Sequence, residues 1–354
     1  MWFRDNDVKV PIIQGGMGVG VSMSNLAGNV ALCGGIGVIS SVNAGYREPD
    51  FMTNPMEANL RALEAEIKKA KEIAKGNGLI AVNIMTAVSR FSETALCAVK
   101  AGADMIISGA GLPLKLPEYT KGTDTLCVPI VSSGRGARLL TKTYMKKYGV
   151  TPDAFIIEGH DAGGHLGFSK DEIENDTAKD NHEILAEVLE EVKDYNIPVF
   201  VGGGVFDGND MASLLQSGAA GVQIGTRFIA TEECDAADGF KEVIVNATED
   251  DVRIIKSPVG MPARAIESPL LKKLSEGLSF PAKICNGCLD ACPKGVKASF
   301  CISRALVAAV RGNYEEGLFF SGSNVGRIRG ITTVKALMDE IMDQCNSKLE
   351  GGRS

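Results

Sequence analysis

Eight short, continuously apolar runs, most of them closed by glycine or serine, recur through the first two thirds of the chain. They are "PIIQGGM" from Pro11, "IGVISS" from Ile36, "LIAVNIM" from Leu79, "ADMIISGAG" from Ala103, "VPIVSS" from Val128, "AFIIEG" from Ala154, "PVFVGGG" from Pro198 and "GVQIGTRF" from Gly221. A strand apolar at successive positions leaves no face for water, so it belongs in a parallel sheet covered on both sides. Segments with helical spacing separate most of the runs. "NPMEANLRALEAEIKKAKEIAK" (54–75) is amphipathic with paired charges, and "NDMASLLQSG" (209–218) is a shorter case.

Three joints, "LCGGIGVIS", "KAGADMIIS" and "QSGAAGVQIG", repeat one pattern of helix end, glycine and new strand. The recurrence, roughly every 25 residues, predicts an α/β fold of the (β/α)8 TIM-barrel type. A doubly wound open sheet is the alternative, but "GGMGVG" is a poor dinucleotide fingerprint at the first turn. The reading places the barrel over residues 1–230 and a mainly helical cap beside its mouth over 231–330. Residues 331–354, with amphipathic "TTVKALMDEIMDQC", form a helix returning to the outer ring.

The chain has 354 residues, 45% hydrophobic and 23% charged, enough for a sizeable core. A formal net charge of −7 argues against nucleic acid or an anionic membrane as main partner. No signal-peptide core and no run of transmembrane length is present. Nine cysteines, an odd number with four crowded between 285 and 301, point to a reducing cytoplasm rather than a secreted disulfide framework. A homodimer is compatible with such a chain.

Active sites of such barrels lie at the C-terminal strand ends. Those ends are rich in glycine and poor in carboxylates, which suits a large flat ligand against bare backbone. Gly203, Gly204, Gly225 and Thr226, with a helix N-terminus near Asp207 and Gly208, form the expected phosphate cradle. Gly15, Gly16 and Met17 suit a planar ring, and Asn83 offers donor and acceptor to its edge. A buried structural amide is the other reading of Asn83, and Glu158 is open to a structural role too. The loop "GHDAGGHLG" (159–167) carries two of the three histidines. His165, beyond "AGG", is placed to point into the mouth as a proton-transfer group. His160 reads as a loop residue and His182 as a surface residue at a helix start.

Six motifs in order, "PIIQGGMG", "VNIM", "SGAG", "GHDAGGHLG", "VFVGGGVFDG" and "VQIGTRF", together resemble the nitronate monooxygenase (2-nitropropane dioxygenase) family. The FMN-dependent bacterial enoyl-ACP reductases share them, and the likeness continues weakly through "SPVGMPARAI" (257–266). The resemblance implies an oxidoreductase with FMN. It would put Gly15, Gly16, Met17 and Asn83 beside the ring, and Gly203, Gly204, Gln223, Gly225 and Thr226 at the phosphate. Gly109 and Gly164 complete the cofactor set, and His165 is the implied catalytic residue. Asp161 stands where the family often has Glu. Two activities stay open. One is oxidation of alkyl nitronates with flavin and O2; the other is reduction of an enoyl thioester with NAD(P)H as reductant and an acyl carrier protein as partner. For the latter, "YMKKYG" (144–149) and "LKKL" (271–274) are the only basic candidates. A third reading is a flavin-binding or electron-transfer module without turnover.

Cys285, Cys288, Cys292 and Cys301 stand apart from these motifs. Their spacing, with Pro293 after the third, is compatible with an iron–sulfur cluster, with zinc, or with a metal-free group. The remaining cysteines read as packing residues.

Overall fold

The computed structural model describes residues 2–3, 6–282, 285–290, 292 and 298–351. Eight parallel strands close on themselves: β1 (Ile12–Gln14), β2 (Ile36–Ser40), β3 (Leu79–Asn83), β4 (Met105–Ser108), β5 (Leu126–Val131), β6 (Phe155–Glu158), β7 (Val199–Gly202) and β8 (Gly221–Ile224). Each of the eight predicted runs supplies one strand. β8 pairs with β1 in the register Val222 to Ile12, Gln223 to Ile13 and Ile224 to Gln14, which closes the barrel.

Continuous apolarity has the anticipated cause. Ile13, Ile36, Val38, Leu79, Ala81, Met105, Ile107, Leu126, Val128, Ile156 and Phe200 fill the barrel interior as one cluster with Val8. Their strand neighbours Ile39, Ile80, Val82, Ile106, Phe155, Ile157, Val199 and Val201 face the helices in a second cluster. Successive side chains of a strand point to opposite faces, and here both faces are dry. The three helix–glycine–strand joints hold Gly34, Gly102 and Gly218 at φ of 90°, 85° and 100°, where a side chain is strained.

The outer ring is completed from the far end of the chain. Helix Val334–Gly351 packs against helices Gly208–Gln216 and Ser24–Leu32. A Cβ at Gly208 would lie 2.1 Å from the Ile341 carbonyl oxygen, so the two backbones touch. Asp235, just past the barrel, accepts from the N–H groups of Met23 (2.9 Å), Leu26 (3.0 Å) and Asn25 (3.2 Å) and so caps the first barrel helix.

After residue 230 come helices Asp238–Asn246, Pro269–Ser275 and Ile302–Val310. They are joined by a small antiparallel sheet that periodicity did not reveal: Val252–Lys256, Pro262–Ile266 and Phe319–Phe320. A two-residue strand from the barrel loop, Gly164–His165, pairs with Pro262–Ile266 as its fourth member. No described helix is long and apolar enough to cross a membrane.

Phe200 is fully buried inside the barrel. Replacing it with Ala should lower the unfolding free energy by about 3–5 kcal/mol, measured by denaturant titration. A loss well under 1 kcal/mol would mean that the interior is not close-packed.

Candidate active site

The mouth of the barrel holds a cavity of about 230 Å³. Gly15, Gly16, Met17, Asn83, Gly109, Gly164, His165, Gly203, Gly204, Gln223, Gly225 and Thr226 all line it. The structure therefore brings these twelve sequence-predicted residues to one place. Glu158 and Asp161 join them in the wall.

The glycines there have different reasons to be glycine. At Gly16 a Cβ would sit 2.5 Å from that of Asn83, and at Gly109 2.9 Å from that of Ile130, so neighbouring side chains exclude one. Gly203 and Gly204 have φ of 83° and 88°, and a Cβ at Gly203 would meet the Gly159 carbonyl oxygen at 2.7 Å. At Gly225 the only atom within 4 Å of such a Cβ is Met17 Sδ, at 3.7 Å, and its φ of −106° suits any residue. Gly15 likewise meets nothing closer than 3.5 Å. Packing does not demand glycine at Gly15 or Gly225, and a side chain at either would line the open cavity.

Hydrogen bonds stiffen this floor. The buried Gln14 amide accepts from Val38 N–H at 3.0 Å and donates to the Gly15 carbonyl. Met17 N–H donates to Ser22 Oγ at 2.8 Å. The Asn83 carbonyl takes Ser41 N–H (3.1 Å) and Ser41 Oγ (2.9 Å), while its side-chain amide has no protein partner among the described residues. At the other end, Asn181 and Asn324 donate to the carbonyls of Gly203 (2.5 Å) and Gly204 (2.6 Å). Gly322 N–H donates to Thr226 Oγ1 at 2.9 Å.

One expectation about the cradle is corrected. The helix that begins at Gly208 has its N-terminus already filled: Asp207 accepts from Asn209 N–H (2.9 Å) and Asp210 N–H (3.2 Å), and Gly208 N–H donates to Gln344 (3.0 Å). Neither Asp207 nor Gly208 lines the cavity. A capping carboxylate has taken the place of an outside anion.

His165 is fixed by the cap. Its strand pairs with Ala263, Leu166 N–H donates to the Pro262 carbonyl at 2.9 Å, and Nε2 lies 2.7 Å from Ser257 Oγ. The Phe320 ring packs edge-on at 5.5 Å between centroids. Burial pushes the imidazole pKa down to about 4, because the charged form loses solvation without gaining an anion. The same withdrawal from water pushes Glu158 up to about 7. Two titratable groups in one cavity are thus both held toward their neutral forms.

The other histidines lie outside. His160 faces a separate cavity and packs edge-on against Phe168, at 6.0 Å between centroids. His182 is exposed on helix Asn181–Val192, beside Ser217 (3.0 Å) and Ser213 (3.3 Å).

Sequence reasoning missed Ser257, Arg264, Phe320 and Asn324. The buried Arg264 guanidinium donates to the carbonyls of His160 and Ala162 (2.8 Å) and lies 4.0 Å from Asp161, so it holds the histidine loop in shape. Ser257 and Arg264 lay within the quoted segment "SPVGMPARAI", but nothing in that segment told which barrel loop it would meet.

A second cavity, about 310 Å³, meets the first at Val42, Met85, His165 and Leu306. Its wall is mostly apolar, with Met56, Leu60, Leu63, Val88, Leu289 and Ile302, and Arg90 is also part of it. The four cysteines lie together around a third cavity of about 500 Å³. Cys285, Cys288 and Cys301 are free thiols, and among the described residues no three His, Cys, Asp or Glu side chains converge as they stand to hold an ion.

The nitronate monooxygenase family model matches residues 4–344. A Mycobacterium tuberculosis protein named (3aS,4S,5R,7aS)-5-hydroxy-7a-methyl-1-oxo-octahydro-1H-indene-4-carboxyl-CoA dehydrogenase is 26% identical, with 95% of this chain and 92% of that protein aligned. A Staphylococcus saprophyticus protein named "Probable nitronate monooxygenase" is also 26% identical, over 76% of this chain and 79% of its own. Among solved structures, FabK from Thermotoga maritima superimposes with a TM-score of 0.74 at 26% identity, covering 98% of this chain and 96% of that one. Nitroalkane oxidase from Streptomyces ansochromogenes shares the fold, with a TM-score of 0.73 at 20% identity and 98% of each chain covered. With a barrel mouth of this construction and a family match along nearly its whole length, the chain is an oxidoreductase enzyme that belongs to the nitronate monooxygenase family.

Proposed function

We propose that the protein is an FMN-dependent enzyme that oxidises a carbon acid, an alkyl nitronate or its parent nitroalkane, with His165 as the base. The observation that carries this is a buried, uncharged imidazole over a glycine-floored cavity. The residues fit the cofactor. Gly15 and Gly225 leave open the space that a side chain would fill, and Asn83 keeps an unengaged amide. Gly203, Gly204 and Thr226, braced by Asn181, Asn324 and Gly322, would hold the phosphate, and Gln223 stands beside them. FMN bound there supplies the electron acceptor for the oxidation, and O2 is the terminal oxidant.

The chain's own part is proton handling. With Nε2–H donating to Ser257 Oγ, the Nδ1 lone pair, which has no protein partner among the described residues, is left to take the substrate proton. With its pKa near 4, His165 is unprotonated at neutral pH and so is free to accept a proton there, as a weak base. Glu158, raised to about 7, is about half protonated at neutral pH, which lessens its repulsion of an anionic nitronate.

A second reading, reduction of an enoyl thioester, draws support from the apolar second cavity, which suits an acyl chain approaching His165. Its acidic carrier protein would need free cations. Lys147 is paired with Glu118 (3.1 Å), Lys272 with Glu267 (3.4 Å) and Lys273 with Glu315 (3.5 Å), so of the lysines in the two basic candidates only Lys146 has no ion pair among the described residues.

Three outcomes are expected. His165→Ala should retain flavin and lose about 10²- to 10⁴-fold in kcat with a neutral nitroalkane; an unimpaired variant removes the assigned role. With a neutral nitroalkane, the acid limb of the kcat/KM profile set by His165 should lie toward about 4, well below the ordinary histidine value; an acid limb near 6.5 would mean a solvated imidazole. Gly225→Leu should fold with an unchanged melting temperature yet purify without flavin, since the new side chain enters the open space alone; normal flavin content would place the cofactor elsewhere. Anaerobic bleaching of the flavin by NADH or NADPH, rather than by a nitronate, would favour the reductase.

A further inference from the structure

We propose that Cys285, Cys288, Cys292 and Cys301 form a four-thiolate site for an iron–sulfur cluster, one cavity away from His165. The inference is independent of the flavin reading. Four of the nine cysteines, separated along the chain by two, three and eight residues, line one cavity of about 500 Å³. The Cys288 thiol lies within electrostatic range of the other three. Four thiolates are the usual ligand complement of a cluster.

The backbone at Cys288 and Cys301 is already anchored. Leu289 bridges to Val88, Ser89 N–H donates to the Cys288 carbonyl at 3.1 Å, and Asp290 N–H to the Ala87 carbonyl at 3.2 Å. Phe280 bridges to Phe300, and Cys301 N–H donates to the Phe280 carbonyl at 3.2 Å. As they stand the thiols do not converge as ligands. Rotation about a cysteine's single Cα–Cβ torsion carries its sulfur between staggered positions without moving these anchors.

Two features favour a cluster over zinc. Structural zinc serves segments that cannot hold their shape without it, whereas hydrogen bonds to the barrel loop and the flanking strand already hold Cys288 and Cys301. Charge is the second. Arg47, Arg304 and Arg311 share the cavity wall, and Arg47 and Arg311 donate to the carbonyls of Asp235 (2.9 Å) and Tyr46 (3.2 Å) instead of entering ion pairs. Of the two carboxylates in the wall, Glu48 is engaged by Arg61 at 2.7 Å and Glu316 accepts from Asn313 at 3.4 Å. Three guanidiniums against two carboxylates leave the wall net positive, which suits the net negative charge of a thiolate-ligated cluster and tunes its potential. The location is redox-relevant as well. This cavity shares Asn286, Cys288, Leu289, Ile302 and Ser303 with the second cavity, which ends at His165.

The test uses full-length protein produced and purified without oxygen in iron-supplemented medium. Iron, zinc, acid-labile sulfide and extractable flavin are measured in one sample. Iron and sulfide are expected in equal amounts, about two to four of each per chain, with an electron paramagnetic resonance signal after dithionite reduction. Cys301→Ser and Cys288→Ser should each lose at least half of the iron and sulfide. Cys97→Ser, a thiol outside the group, should lose neither, and all three should match the parent in circular dichroism and flavin content. Zinc bound in place of iron, a disulfide among the four by mass spectrometry, or iron unaffected by the two substitutions would each overturn the proposal. Iron with sulfide but no flavin would leave it standing and overturn the flavin reading instead.

Discussion

The hydrogen-bonded ladder between the last barrel strand and the first is the constraint on which the rest depends. By setting Ile224 opposite Gln14 it brings Gly225 and Thr226 beside Gly15, whose N–H donates to the Ile224 carbonyl at 2.8 Å. Residues more than two hundred apart in sequence thereby become neighbours on one floor. The interior cluster from Val8 to Phe200 holds that closure, because a close-packed barrel cannot open without exposing every interior side chain.

A closed barrel supplies a floor but no roof. The cap provides it through main-chain pairing, when Gly164–His165 leaves the barrel loop to join the antiparallel sheet. Pairing fixes the height and azimuth of the imidazole, Ser257 fixes its tilt, and Phe320 excludes water from one edge. The same burial that positions the ring sets its chemistry, since a cation there would lose hydration with no anion to replace it. Placement and basicity have one cause.

The cap also separates two kinds of space. An apolar passage leads from His165 outward, and beyond it lies a thiol-lined chamber walled by arginines. Both are built partly from helix Ile302–Val310, so one element borders the approach to the base and the cysteine group alike. A change in that helix would be felt in both chambers.

Much of this was legible in the chain itself. The eight apolar runs, the glycines at 34, 102 and 218, and the clustering of candidate residues at strand ends follow from local rules: period, chirality and the needs of buried backbone. The cap sheet was not legible. Its strands are short, and those at Gly164–His165 and Phe319–Phe320 have two residues each, too few to establish a period. The occupied helix N-terminus at Gly208 was misjudged because a capping aspartate and a phosphate-binding turn look alike until the hydrogen bonds are seen. The sequence by itself determined the barrel, its glycine-floored mouth and the presence of a histidine beside it. Only the tertiary structure decided that this histidine is roofed by Ser257 and Phe320 and kept uncharged, because burial is a property of distant segments meeting and no local pattern encodes it.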